Sequence, residues 1–195
     1  MTEEKKIRAF IAVKTPAAWD DALVDLQKEI KSLVPSETIR WIAVEQIHLT
    51  LRFLGYIPGS AIETLKAVTG DVCRTIGSFI LRYDGLGCFP RIKDPRVIWA
   101  GLKPEDNNLA ELHRRIVEST ATIGEPPEER PFKPHLTLAR VKNLERKFIP
   151  RLEQALGSTG FKGPEDWQVS ELLLMQSRLS PKGASYEALH TARLA

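Results

Sequence analysis

His48-Leu49-Thr50-Leu51 and His135-Leu136-Thr137-Leu138 are one tetrapeptide written twice, in a chain that has four histidines in all. In an extended strand, side chains point alternately to opposite faces. In each copy the histidine and threonine therefore share one face, while the two leucines share the other. Each copy reads as a strand with an apolar face to bury and a polar face to present.

Working outward, Ile7 to Val13 (IRAFIAV) reads as a buried strand, being rich in β-branched and aromatic residues. Pro16 opens a helix in which Leu23, Leu26, Ile30 and Leu33/Val34 recur at helical spacing up to a break at Pro35. Strands are expected over 38–42 and 47–54, then a turn at Pro58-Gly59 and a helix capped by Ser60 with Ile62, Leu65, Val68 and Val72 inside. A strand over 79–83 leads into a loop holding Gly85, Gly87, Pro90 and Pro95. The second half repeats the plan. Val97 to Leu102 is a strand, and Leu109, Leu112, Ile116 and Val117 mark a helix beginning near Asp106. A proline-rich connection from Pro126 to Pro134 enters the strand 135–141, and Phe148, Ile149, Leu152 and Leu156 mark another helix. Strands over 169–175 and 186–194 close the chain around a turn at Pro181-Lys182-Gly183.

Both halves thus run strand, helix, His-Leu-Thr-Leu strand, helix, strand. The opening strands are offset by 90 residues (7 and 97) and the histidines by 87 (48 and 135). The expected architecture is α+β, a single bilobal domain over residues 1–195. Its two related lobes each hold a mainly antiparallel sheet with helices on the outer face.

Composition narrows the setting. The chain has 195 residues, 43% hydrophobic and 27% charged, as is ordinary for a soluble globular protein. The net charge of +3 is compatible with an anionic ligand but is no dense basic stripe for duplex nucleic acid. Apolar runs such as Leu172 to Met175 are too short to span a bilayer, and the start, Met1 to Lys6, has no signal-peptide pattern, so a cytoplasmic protein is expected. Cys73 and Cys88 form no C-x-x-C pair and read as reduced, mostly buried thiols. There is no Walker loop, no dinucleotide-binding glycine fingerprint and no cluster of three metal ligands, so neither cofactor nor metal is expected. A monomer is the default.

Two His-x-Thr strands with their polar faces opposed across a cleft would bring together two imidazoles and two hydroxyls. Arg140 is expected to add a cation to the second of these faces, with Arg52 standing likewise to His48. Such a set suits an anion whose entering and leaving groups lie on opposite sides. Phosphodiester hydrolysis needs one group to take a proton from water and another to give one to the departing oxygen. Imidazole, with an unperturbed pKa near 6.5, can do either near neutrality. Threonine hydroxyls and a guanidinium can hold the non-bridging oxygens. Of the remaining histidines, His113 reads as a surface residue and His190 as structural. Phe10, Phe53, Phe89 and Phe132 lie near the motif segments. Phe53, at an odd offset from His48, is expected in the core with the leucines, and Phe132 is the preferred residue to stack on a terminal base. Lys133, Arg91 and Lys93 are expected at the cleft mouth.

The segments Arg8 to Val13, His48 to Gly55, Phe89-Pro90, Val97 to Gly101 and Phe132 to Arg140 together resemble the 2H phosphoesterase superfamily. Within it they resemble the bacterial and archaeal RNA 2′,3′-cyclic phosphodiesterases, also called 2′-5′ RNA ligases. The resemblance implies a bilobal, pseudo-twofold fold around a central cleft. It also implies metal-independent hydrolysis of a terminal RNA 2′,3′-cyclic phosphate to a 2′-phosphate, the 3′-oxygen leaving. By the same resemblance, RNA ends or nucleoside 2′,3′-cyclic phosphates are the substrates. His48 would be the proton donor, His135 the proton acceptor, and Thr50, Thr137 and Arg140 would hold the phosphate. Sequence alone leaves both acid–base assignments open, because the site is nearly symmetric. Running the chemistry backwards to form a 2′-5′ linkage needs no further catalytic group. Two alternatives stand beside this. One is another branch of the superfamily, cleaving 2′-5′ oligonucleotides or ADP-ribose cyclic phosphate. The other is a non-catalytic nucleotide- or RNA-binding module of the same fold, against which the matched acid and base argue.

Overall fold

The alternation that marks the two motifs also builds the sheet around them. In the computed structural model, which describes residues 4–34, 36–158, 161–181 and 183–195, β3 (His48–Pro58) and β6 (His135–Val141) lie side by side. They pair antiparallel at Leu49 and Leu136, both fully buried. Outward from this seam, β1 (Lys6–Lys14) pairs with β3, and β5 (Asp94–Pro104) with β6. Beyond β1 come β8 (Glu171–Ser180) and β9 (Gly183–Arg193); beyond β5 come β4 (Phe79–Arg91) and β7 (Trp167–Val169). The short β2 (Ile39–Trp41) pairs with β6. Every pairing is antiparallel, and the sheets of the two lobes are continuous through the seam. The predicted break at Pro35 and the Lys182 position of the predicted turn lie outside the described residues.

Two features of this plan were not visible in the repeat. First, the halves of the chain are not the lobes. The strand that ends the first half, β4, sits beside β5 of the second, while β8 from the second half sits beside β1. Second, the equivalence runs at one offset throughout, that of the two histidines. Phe10 pairs with Phe53 as Val97 pairs with Arg140, so the counterpart of Val97 is Phe10. The stretch from Gly85 to Pro95, expected as a loop, is instead the body of the β4–β5 hairpin. Glycine and proline read as breakers, but register shifts at Tyr83/Leu86 and Phe89/Pro90 absorb them. Gly87 has a positive use, since a Cβ there would overlap the Trp99 ring lying across it.

Four helices, α1 (Asp20–Leu33), α2 (Ala61–Cys73), α3 (Asn108–Ser119) and α4 (Ile149–Ser158), cover the face of the sheet that carries the motif leucines. Their apolar stripes are those the spacing predicts: Leu23, Leu26 and Ile30 on α1, Leu65 and Val72 on α2, Leu109, Leu112 and Ile116 on α3. They pack in crossed pairs, α1 with α4 and α2 with α3, each pair drawing one helix from each half. Burial at this scale, roughly 1.5–3 kcal/mol for each enclosed large aliphatic side chain, holds the helices to this face and leaves the opposite face to carry the cleft. No helix among the described residues is long and apolar enough to cross a membrane.

Candidate active site

β6 carries one bulge and β3 two, the second leaving out Leu54 between the pairs Ala9–Gly55 and Phe10–Phe53, and the bulges decide which side chains reach the concave face. On β6, Trp99 pairs with Thr137 but Ile98 pairs with Ala139, leaving Leu138 as an extra residue. On β3, Ala12 pairs with Thr50 but Ile11 with Arg52, leaving Leu51. Strict alternation from His135 would send Arg140, at an odd offset, to the leucine face. The bulge turns the strand by one residue, so Leu138 and Ala139 are both buried and Arg140 emerges exposed beside His135 and Thr137. The carbonyl of Leu138 at the bulge is satisfied by the Ile42 N–H (2.9 Å) and by Nε2 of Gln27 (3.1 Å), a buried glutamine on α1.

The matching bulge on β3 reverses two expectations. Arg52 does not join His48 on the polar face but is 5% exposed on the helix side. Its guanidinium donates to the carbonyls of Phe53 (2.8 Å), Pro126 (3.3 Å) and Glu125, pinning the connection that leads to the second motif. Phe53 takes the place that Arg140 has on β6 and is half-buried rather than in the core.

His48, Thr50, His135, Thr137 and Arg140 line one cleft, together with Gln46 and Tyr186. The two imidazoles are held alike. Nδ1 of His48 lies 2.8 Å from the Gln46 carbonyl, and Nδ1 of His135 lies 2.7 Å from the Lys133 carbonyl. A carbonyl only accepts, so Nδ1 carries the hydrogen and Nε2 of each ring is left for a ligand. Both rings are flanked by aromatics. Phe10 stacks on His48 at 4.8 Å and Tyr186 meets it edge-on at 5.2 Å. Phe89 meets His135 edge-on at 4.9 Å, with Trp99 at 6.3 Å. Burial pushes the pKa of both histidines below the ordinary value. At His48 the Gln46 carbonyl opposes this, while the positive charges of His135 and Arg140 add to it. At His135 the Lys133 carbonyl and Glu128 oppose it, and the Lys133 ammonium adds to it.

Tyr186 and Trp99 were not singled out from the sequence. Tyr186 reaches His48 from β9, two strands beyond β1, and no local pattern marks it. It is brought there by β8–β9 pairing and by Nε2 of Gln46, which donates to the Ala184 carbonyl (2.9 Å). Trp99 comes to the site through its cross-strand register with Thr137. The Lys133 ammonium lies 4.2 Å from the Trp99 ring centroid. Arg91 and Lys93 are exposed at the tip of the β4–β5 hairpin. Phe132 is not brought to the cleft. It stacks face to face on His113 at 3.9 Å, lining a separate groove with Leu102, Leu109 and Pro134. That contact also leaves His113 half-buried rather than a plain surface residue. His190 is half-buried in β9, opposite Leu174. Among the described residues no group of three His, Cys, Asp or Glu side chains could hold a metal ion.

Two histidine–threonine pairs and a solvent-facing guanidinium thus share one cleft on a continuous antiparallel sheet, an arrangement suited to a phosphate ester. Residues 19–180 match the family model described as the 2′-5′ RNA ligase superfamily. The chain is 30% identical over 184 residues to the RNA 2′,3′-cyclic phosphodiesterase of Aquifex aeolicus, covering 93% of this chain and 94% of that one. A crystal structure of a Thermus thermophilus protein superposes with a TM-score of 0.78 at 29% identity, over 96% of this chain and 98% of that one. The Escherichia coli LigT protein in complex with 3′-AMP superposes at 0.76 with 25% identity, over 98% and 99%. The chain belongs to the 2′-5′ RNA ligase superfamily.

Proposed function

We propose that the chain hydrolyses terminal RNA 2′,3′-cyclic phosphates to 2′-phosphates. The observation that carries this reading is the pair of imidazoles, each fixed through Nδ1 and each presenting Nε2 to one cleft that also holds Thr50, Thr137 and Arg140. The names of the relatives supply the substrate class. Nε2 of His135 takes a proton from water as the oxygen attacks phosphorus. The bond from phosphorus to the 3′-oxygen breaks on the far side, and His48 gives that oxygen its proton. The two hydroxyls and the guanidinium hold the non-bridging oxygens as charge builds on them. In the free site Arg140 lowers the proton affinity of His48. A bound phosphodiester offsets the guanidinium, so His48 gains its proton as substrate arrives. In this reading the chain works as a cytoplasmic monomer on RNA ends or nucleoside 2′,3′-cyclic phosphates, with no metal or cofactor, and the reverse step forms a 2′-5′ linkage.

The test is turnover of 2′,3′-cyclic AMP and of an oligonucleotide ending in a cyclic phosphate, both in EDTA, with the product identified by phosphorus NMR. A 2′-phosphate is expected. No turnover overturns the function, a need for added metal overturns the mechanism, and a 3′-phosphate reverses the leaving oxygen.

The acidity of the site makes a second prediction. The productive free enzyme holds one proton on the histidine pair, and that form dominates between two apparent pKa values belonging to the pair. Both histidines are shifted below 6.5, so kcat/KM should peak on the acid side of 6.5 and fall as pH rises through the upper value. The kcat profile should lie at higher pH, because the bound anion raises both histidines. A kcat/KM optimum above pH 7 would contradict the depressed pKa values.

A further inference from the structure

The two lobes differ at one position that their symmetry makes equivalent. Where β6 offers Arg140 to the concave face, β3 offers Phe53, and a second guanidinium comes to it from β1. The Arg8 guanidinium carbon lies 4.6 Å from the Phe53 ring centroid, and its Nη1 donates to Oγ of Ser177 (2.8 Å). Ser177 is 4% exposed, so the hydroxyl is a fixed bracket rather than a mobile contact. Arg8 pairs with no carboxylate among the described residues, unlike Arg74, Arg82, Arg114 and Arg178 on the outer surface. A half-buried cation whose partners are a hydroxyl and a ring keeps its charge available to an anion.

Its surroundings extend in one direction from the cleft. Arg8 and Phe10 are on the same face of β1, two residues or roughly 7 Å apart, and the Phe10 ring stacks on His48. Across the register from Arg8 stands Tyr56, a tyrosine 60% exposed to solvent. A cation and an open aromatic ring side by side form the combination that binds single-stranded nucleic acid, the one taking the backbone and the other a base.

Building on the hydrolase reading above, we propose that Arg8, braced by Ser177 and Phe53, binds the next phosphate of an RNA strand whose cyclic end lies between the histidines, with Tyr56 stacking on an upstream base. The enzyme then prefers cyclic-ended oligonucleotides to cyclic mononucleotides. Arg8→Gln should lower kcat/KM for a cyclic-phosphate-ended trinucleotide about tenfold, and for 2′,3′-cyclic AMP by a much smaller factor. The slope of log kcat/KM against log salt for the trinucleotide should fall by about 0.7, one phosphate contact on a single strand. Tyr56→Ala should weaken the trinucleotide selectively without changing that slope. Arg114→Gln, on the outer face of α3, should affect neither substrate.

Equal losses on both substrates for Arg8→Gln, or no loss on either, would overturn the assignment. If the unaltered enzyme turned over neither substrate, the hydrolase reading would fail by itself. Arg8 would then be judged by anisotropy with a fluorescent trinucleotide bearing a 2′-phosphate: binding about tenfold weaker in Arg8→Gln supports the site, and equal binding refutes it.

Discussion

His48→Ala and His135→Ala should each lower kcat by about a hundred- to ten-thousand-fold while leaving the thermal transition near that of the unaltered protein. The rings contribute little to the core, because Leu49 and Leu136 at the seam and the leucines beside them do the burying. The two losses should not multiply in the double variant, since either absence already disables the concerted transfer. The roles can be separated by the leaving group. With sulfur in place of the 3′-oxygen the departing group is far less basic and needs no proton. His48→Ala should recover most of its lost rate on that substrate and His135→Ala none. Recovery by the His135 variant instead would exchange acid and base.

Arg140→Gln should cost about a hundred- to a thousand-fold in kcat, the scale of one well-placed donor to developing negative charge. Arg140→Lys keeps the charge but loses the planar two-pronged contact, and should fall between the two. A second readout tells a phosphate clamp from a structural arginine. Arg140 is one of the groups holding the His48 pKa down, so its removal should move the His48 limb of the kcat/KM profile to higher pH. An unmoved profile with a normal rate would remove Arg140 from the site. Among the described residues it has no carboxylate to release, so the substitution leaves no stranded partner.

What the sequence made legible was governed by period and repetition. The histidines and threonines share a face because they stand two positions apart, with one leucine between them, and nothing longer-range is needed to see that. Beyond them simple counting fails, because a bulge is invisible in composition. It delivers Arg140 to the cleft against its parity, buries Arg52, and brings Phe53 out. Phe132 was close to a motif in sequence but stands before β6, where the chain turns over α3 and finds His113. Tyr186 and Trp99 are in the site through strand pairing at a distance, which no local window contains. The β4–β5 hairpin was masked by glycine and proline that serve as bulge and ring seat rather than as breakers.

The exchange of end strands between the halves has a bearing on how the chain comes into being. During synthesis β1 emerges long before β8, one of its two neighbours in the sheet. Until then β1 presents an open edge of backbone donors and acceptors beside apolar Ala9, Ile11 and Val13, the kind of template that invites pairing with another chain. The His48 lobe therefore stays unfinished while all the elements between β1 and β8 are made. Tyr186, which flanks His48, comes only with the β8–β9 hairpin, so the pocket around the first motif cannot close before β9 has been made.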